Sequence, residues 1–322
     1  MKWDLLVIAN PVWEISWLVE EFPLDSTEPA APHVRSEDGG GSAANTACAL
    51  ACAGWRVAAV GRVGDDPYGL ASVAALEHRG VTPLVDLVPG ASTKHNHLYV
   101  KRSDRRTAFR AFFPERVVFP WDGRPHDLDD AGCLLLDRLA AASIAWLRER
   151  DDPGRYLNIL NRNAPGERGL ADPRMREALP FLTVLQIPEA DEEGAAAMRR
   201  APASPIASLR PPSSSRSREP LDDRSRLHSS IPFDPLSEDD VRSLLAGGID
   251  VLIRTRGASG VIVHAADGEA LSLPAADTVL VDPTGAGDAF AAGFLDGLMR
   301  AEPLRAAAGR GLDWAARACR HL

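Results

Sequence analysis

The chain has 322 residues, 45% hydrophobic, 6% aromatic and 25% charged, with a formal net charge of −9. That is the make-up of a globular protein with ample core. Its acidity excludes a general binder of nucleic acid or of anionic membrane, since either draws most of its affinity from a basic surface.

Cys48, Cys52, Cys133 and Cys319 show neither a CxxC pair nor the histidine spacing of a structural zinc site. The apolar run in MKWDLLVIAN is too short for a signal peptide, and no stretch has the eighteen or so apolar residues of a membrane span. A cytoplasmic protein is expected.

DLLVIA, residues 4–9, predicts a strand covered on both faces. Residues 12–24 and 94–113 alternate polar and apolar positions, as half-exposed antiparallel strands do. They form either a small sheet standing off the main body or two surface hairpins. SAANTACALACA, 42–53, predicts a helix closed by Gly54. VAAVGRVG, 57–64, predicts a buried strand, and YGLASVAALEHRG a helix closed by Gly80. The alternation continues through strands at 133–137, 156–160, 181–187, 250–255 and 278–281, which predicts a mainly parallel sheet with helices on both faces. Residues 199–230, dominated by Arg, Ser and Pro, lack the apolar surface to offset their ordering entropy. They predict a disordered or loosely packed insertion.

The stretch VLVDPTGAGDAFAAGFLDGL, 279–298, reads as strand, glycine turn and helix. Backbone N–H groups at such a helix start carry roughly half a positive charge, so the turn at Gly285, Ala286 and Gly287 suits an anion such as phosphate. Phe290, Phe294 and Leu298 recur every four residues and anchor the helix in the core. Asp288 repels phosphate, which a pure anion site would avoid. A phosphoryl-transfer site, however, uses a carboxylate to take the proton of the incoming hydroxyl. The competing reading makes Asp288 a helix-start residue favoured by the dipole. There is no GxxxxGK[ST], and Phe290 stands where a dinucleotide motif has its third glycine.

DPTGAGDAFAAGF resembles the C-terminal motif of the ribokinase-like (PfkB-type) carbohydrate kinases. GGGSAANTACALACAG followed by VGRVGDDPYG is similar to their N-terminal motif, and IRTRGASGVIV, 253–263, to the strand and glycine turn of their nucleotide site. The resemblance implies a single α/β domain over 1–322, a three-layer α/β/α sandwich with a mainly parallel central sheet. It adds a small β lid from about 12–37 and 91–113, often a homodimer contact in the family. It implies an ATP-dependent kinase acting on a hydroxyl of a small sugar, with magnesium and, as in some members, potassium.

By resemblance Asp288 is the catalytic base, with Gly285, Ala286 and Gly287 forming the anion hole. Glu14, Gly41, Asn45 and Asp137 contact the acceptor. Thr255 and Gly257 line the ATP pocket, and Asp282 and Thr284 help to hold a monovalent cation. The family's NxxE element, which organises magnesium, corresponds to Pro188–Asp191, with proline for the asparagine and Asp191 as the acid. Ser42 stands where ribokinases proper often have lysine. The chain ends at WAARACRHL, before the segment that completes the family's adenine wall. Two alternatives stay open. His95, His97, Tyr99, Phe109, Phe112 and Phe113 suit stacking on a nucleobase, hence a nucleoside kinase, or are packing residues. The altered NxxE element suits a ligand- or partner-binding protein of this fold without turnover.

Overall fold

The computed structural model describes residues 1–8, 11–19, 33–101, 107–112, 128–136, 145–146, 148, 157–161, 177–189, 228–229 and 236–320. In chain order they form β1 (Trp3–Ile8), β2 (Val12–Val19), β3 (His33–Gly40), α1 (Ser42–Cys52), β4 (Val57–Gly64), α2 (Pro67–His78), β5 (Thr82–Val88), β6 (His95–Lys101) and β7 (Thr107–Phe112). There follow β8 (Ala131–Leu136), β9 (Leu157–Asn161), β10 (Val184–Pro188), β11 (His228–Ser229), α3 (Glu238–Ala246), β12 (Val251–Thr255), β13 (Val261–Ala265), β14 (Ala270–Leu273), α4 (Ala286–Met299) and α5 (Leu304–Ala318).

The main sheet runs β14-β13-β12-β10-β9-β8-β1-β4-β5. All its pairings are parallel except the two that attach β13 and β14. Side chains of a strand alternate between faces, and both faces here are apolar. Leu5 and Val7 of β1 pack with Leu50, Leu76, Phe290, Phe294 and Ala307 from α1, α2, α4 and α5. Leu6 and Ile8 pack on the other face, in the cluster that holds Val241 and Leu244 of α3. The expected three-layer α/β/α architecture is therefore present.

A second sheet, β11-β7-β6-β2-β3, occupies the expected lid segments. Its β2–β6 pairing is parallel, whereas antiparallel strands were expected there. Within the stretch read as an insertion, only His228 and Ser229 lie among the described residues, where they pair with β7. The glycine-rich stretch 60–69 acts as a clasp. Asp66 caps α2 by accepting from the Gly69 N–H at 2.8 Å, and it accepts from the backbone and hydroxyl of Thr93 at 2.7 and 2.6 Å. A Cβ on Gly69 would stand 2.1 Å from the Gly64 carbonyl oxygen, so only glycine permits this approach.

One expected strand is absent. Residues 278–281 join no sheet, and Val279 and Leu280 are 75% and 56% exposed. The N–H groups of Val281 and Asp282 instead donate to the Cys319 carbonyl, at 2.8 and 3.1 Å, beyond the end of α5. The β14 hairpin already forms that edge of the sheet, so the β-branched run finds no partner strand.

Candidate active site

The N-terminal turns of α1 and α4 meet. Asn45, in the first turn of α1, donates from Nδ2 to Oδ2 of Asp288, in the first turn of α4, at 2.9 Å. Thr46 secures the same junction by donating its hydroxyl to the Asp288 carbonyl at 3.2 Å. Two helix N-termini, each a partial positive charge, thus converge on one carboxylate that is only 9% exposed.

The turn before α4 is shaped by its own residues. Asp282 accepts from the Thr284 N–H at 2.8 Å, and the Ala286 N–H donates to the Pro283 carbonyl at 3.1 Å. Gly285 then takes a left-handed φ of 79°, which side-chain-bearing residues adopt at a cost. Added Cβ atoms at Gly285 and Gly287 would meet nothing within 4 Å, so the space before this turn is open to an anion. Gln186 of β10, buried in the main sheet, donates to the Gly287 carbonyl at 3.2 Å and supports the turn from below. A lone glutamine inside the apolar run FLTVLQI was the sequence signal for this contact, because a buried amide needs a partner.

Glu14 faces the same region from the lid. Its Oε1 accepts from Nδ2 of Asn96 at 2.9 Å, and its carboxylate also receives the Gly41 N–H. Gly40 makes room for it, since a Cβ there would lie 2.2 Å from Oε2. Loss of hydration pushes the Glu14 carboxyl above the usual carboxylate range. Asn96, the positive Lys94 and the Gly41 N–H pull it back, and Asp38 adds to the rise. Sequence reasoning missed Asn96, which looks like one more polar position in an alternating strand.

Removing that donor raises the Glu14 pKa further in the folded protein only. A carboxyl raised in this way contributes stability at pH values below its unfolded pKa, and the contribution is lost as pH rises through the folded value. Asn96→Leu is therefore expected to lower the unfolding midpoint in denaturant more at neutral than at acid pH. Equal losses at both would show that Asn96 acts by packing alone.

The aromatic residues of the lid lie elsewhere. His95, His97 and Tyr99 alternate with Asn96 and occupy the opposite face of β6. Their rings stack with Tyr68 and Trp17, and Trp17 donates to Nδ1 of His97 at 2.9 Å. These rings pack against one another and do not share the Glu14 face. The side chains of Phe109 and Phe112, and Phe113 altogether, fall outside the described residues.

Thr255 ends β12, next to β10, and Gly257 opens an exposed turn beyond it. Both lie at the carboxyl ends of the parallel strands, where open α/β sheets bind ligands. Asp137 and Asp191 lie outside the described residues. Pro188 pairs with Thr255 and offers a metal no ligand, and the next residue, Glu189, accepts from Arg254 and the Leu236 N–H, both at 2.8 Å. Both bonds go to Oε1, so the described part of that element supplies one unpaired carboxylate oxygen, Oε2 of Glu189, and no second side-chain ligand for a magnesium ion. Among the described residues, no three acid, histidine or cysteine side chains are grouped to hold a metal, and no helix is long and apolar enough to cross a membrane.

The sequence matches the family model described as pfkB family carbohydrate kinase over residues 11–128 and 231–322. A 79-residue stretch, 24% of the chain, is 43% identical to a cytidine kinase from Thermococcus kodakarensis and spans 28% of that protein. The fold is similar to that of Arabidopsis thaliana ribokinase complexed with ribose and ATP, with a TM-score of 0.69 and 18% identity over 98% of this chain and 92% of that one. It is also similar to adenosine kinase from Sinorhizobium meliloti, with a TM-score of 0.71 and 19% identity over 98% and 93% of the two chains.

Proposed function

Since this chain belongs to the pfkB family of carbohydrate kinases, we propose that it transfers the γ-phosphoryl group of ATP to a hydroxyl of a small sugar or nucleoside. The observation that carries this reading is the 2.9 Å bond between Asn45 and Asp288, 243 residues apart, beside an open glycine turn at a helix N-terminus.

In the proposed reaction Glu14, Asn45 and the Gly41 backbone hold the acceptor so that one hydroxyl faces Asp288. The hydroxyl oxygen attacks the γ-phosphorus, its proton passes to the Asp288 carboxylate, the bond to the β-phosphate oxygen breaks, and ADP leaves. The N–H groups of Gly285 and Gly287, at this helix start, stabilise charge developing on the transferred group. Thr255 and Gly257 flank the nucleotide. Magnesium enters as the usual companion of the ATP phosphates, and no protein ligand for it is assigned among the described residues.

The nucleoside alternative is supported by the stretch similar to cytidine kinase, and no longer by His95, His97 or Tyr99. A coupled assay of ADP release with magnesium, ATP and a panel of pentoses, hexoses and ribonucleosides tests the proposal. Acceptor-dependent ADP release supports it. A folded protein that binds panel members without releasing ADP favours the binding-protein alternative.

A further inference from the structure

The peptide plane between Gly287 and Asp288 joins the anion turn to the base, because it carries the α-carbon of each. Its carbonyl accepts from Nε2 of Gln186 at 3.2 Å. We infer that Gln186 is a positioning residue for phosphoryl transfer, which holds this plane against the main sheet and so sets the distance between the transferred group and the Asp288 carboxylate. The inference rests on the kinase reading above and adds a residue that acts through the turn rather than on the substrates.

Three observations point to that role. The first is what the plane would do if nothing held it. Glycine has the widest choice of backbone angles, and at Gly285 and Gly287 an added Cβ would meet nothing within 4 Å, so no side-chain packing at these positions fixes the tilt of the turn. A hold from outside does so.

The second is the mounting of Gln186. It pairs with Asn161 of β9 on one side and Ile253 of β12 on the other, inside the main sheet. A strand bonded along both edges moves little, so the amide is a fixed point. Gln186 is 2% exposed, and Val184, Leu185 and Ile187 beside it are at most 1% exposed. An amide buried among apolar side chains is costly unless it makes a hydrogen bond, and this one makes its bond to the turn.

The third is the division of labour around the helix start. Thr46, also buried, has one hydroxyl proton for two carbonyls, that of Ser42 at 3.0 Å and that of Asp288 at 3.2 Å. Its bond is shared, and it reaches the plane after Asp288 rather than the plane before it. Position 188, on the same face of β10 as Gln186, is a proline. The side-chain amide that β10 brings to this face is therefore Gln186.

The test removes the donor without changing the shape. Gln186→Met keeps the length of the side chain, and the Gly287 carbonyl keeps its place in the hydrogen-bond ladder of α4, so the thermal midpoint is expected to hold. Because a misplacement of about 1 Å costs up to about 100-fold, kcat is expected to fall by about 5-fold to 100-fold. KM for the acceptor and affinity for an ATP analogue are expected to stay near the parent values.

Gln186→Glu gives a reading that packing cannot imitate. Ionised, its carboxylate cannot donate to the Gly287 carbonyl and repels the phosphoryl oxygens; protonated, its O–H donates where the amide did. Burial raises the pKa of such a carboxyl, so the ratio of its kcat to the parent's is expected to be highest at acid pH and to fall as pH rises. Taking the ratio cancels the titration of Asp288 common to both.

A Gln186→Met variant with the parent's kcat, or a Gln186→Glu ratio that pH does not change, overturns the inference and leaves the kinase reading standing. If the parent phosphorylates no acceptor, the kinase reading falls. The inference is then decided by equilibrium binding of orthovanadate in the presence of ADP and magnesium, since vanadate takes the place of the transferred group. Weaker vanadate binding by Gln186→Met at unchanged ADP affinity supports the hold on the turn. Equal vanadate binding by both proteins, or none by the parent, overturns it.

Discussion

Asp288→Asn is expected to lower phosphoryl transfer by about 100-fold or more while leaving the fold and ATP affinity in place, because general-base contributions are of that size. The amide replaces the carboxylate atom for atom. Its carbonyl oxygen still accepts the bond from Asn45, and the backbone carbonyl still accepts from the Thr46 hydroxyl. What is lost is the capacity to take a proton. Calorimetry with a non-hydrolysable ATP analogue, beside steady-state kinetics, separates this loss from misfolding. A variant that turns over at the parent rate would make Asp288 a helix-start residue only.

The second large effect is expected at Asn45. Asn45→Ala removes both the proposed acceptor contact and the amide that holds the Asp288 carboxylate. A cost of about 1 to 3 kcal/mol for an unpaired buried polar group corresponds to a 5-fold to 150-fold fall in kcat/KM for the acceptor. ATP-analogue binding should hardly change. Asn45→Asp places a second carboxylate against the first, and like charges raise each other's pKa. Asn45→Ala only removes a donor to the carboxylate, so the acid limb of the pH–rate profile should move upward in both variants and further in Asn45→Asp. Equal losses for ATP and acceptor would instead assign Asn45 to holding the two helices together.

The strands of the main sheet were legible because a sheet buried on both faces writes near-continuous apolar runs, as in residues 5–8 and 133–136. The turn before α4 was legible because a helix start with two glycines and an acid is a local pattern. Asn96 was not, because it is one polar residue in an alternating strand. Its partner is decided by chain far away. The parallel pairing of β2 with β6 is non-local in the same way. Residues 278–281 show the converse limit, since β-branched residues declare a preference for strand but not the presence of a free edge. The glycines of residues 61–69 suggest a ligand loop by composition, yet Gly64 and Gly69 are explained by backbone contact.

The most direct measurement follows the phosphorus. Protein, magnesium and ATP labelled at the γ position are incubated with each acceptor, and the label is traced by chromatography. The account predicts label covalently bound to an acceptor in equal amount to the ADP formed, with transfer falling about 100-fold or more in Asp288→Asn. Label recovered only as inorganic phosphate at a rate no acceptor changes, or equal transfer by parent and Asp288→Asn, would contradict it.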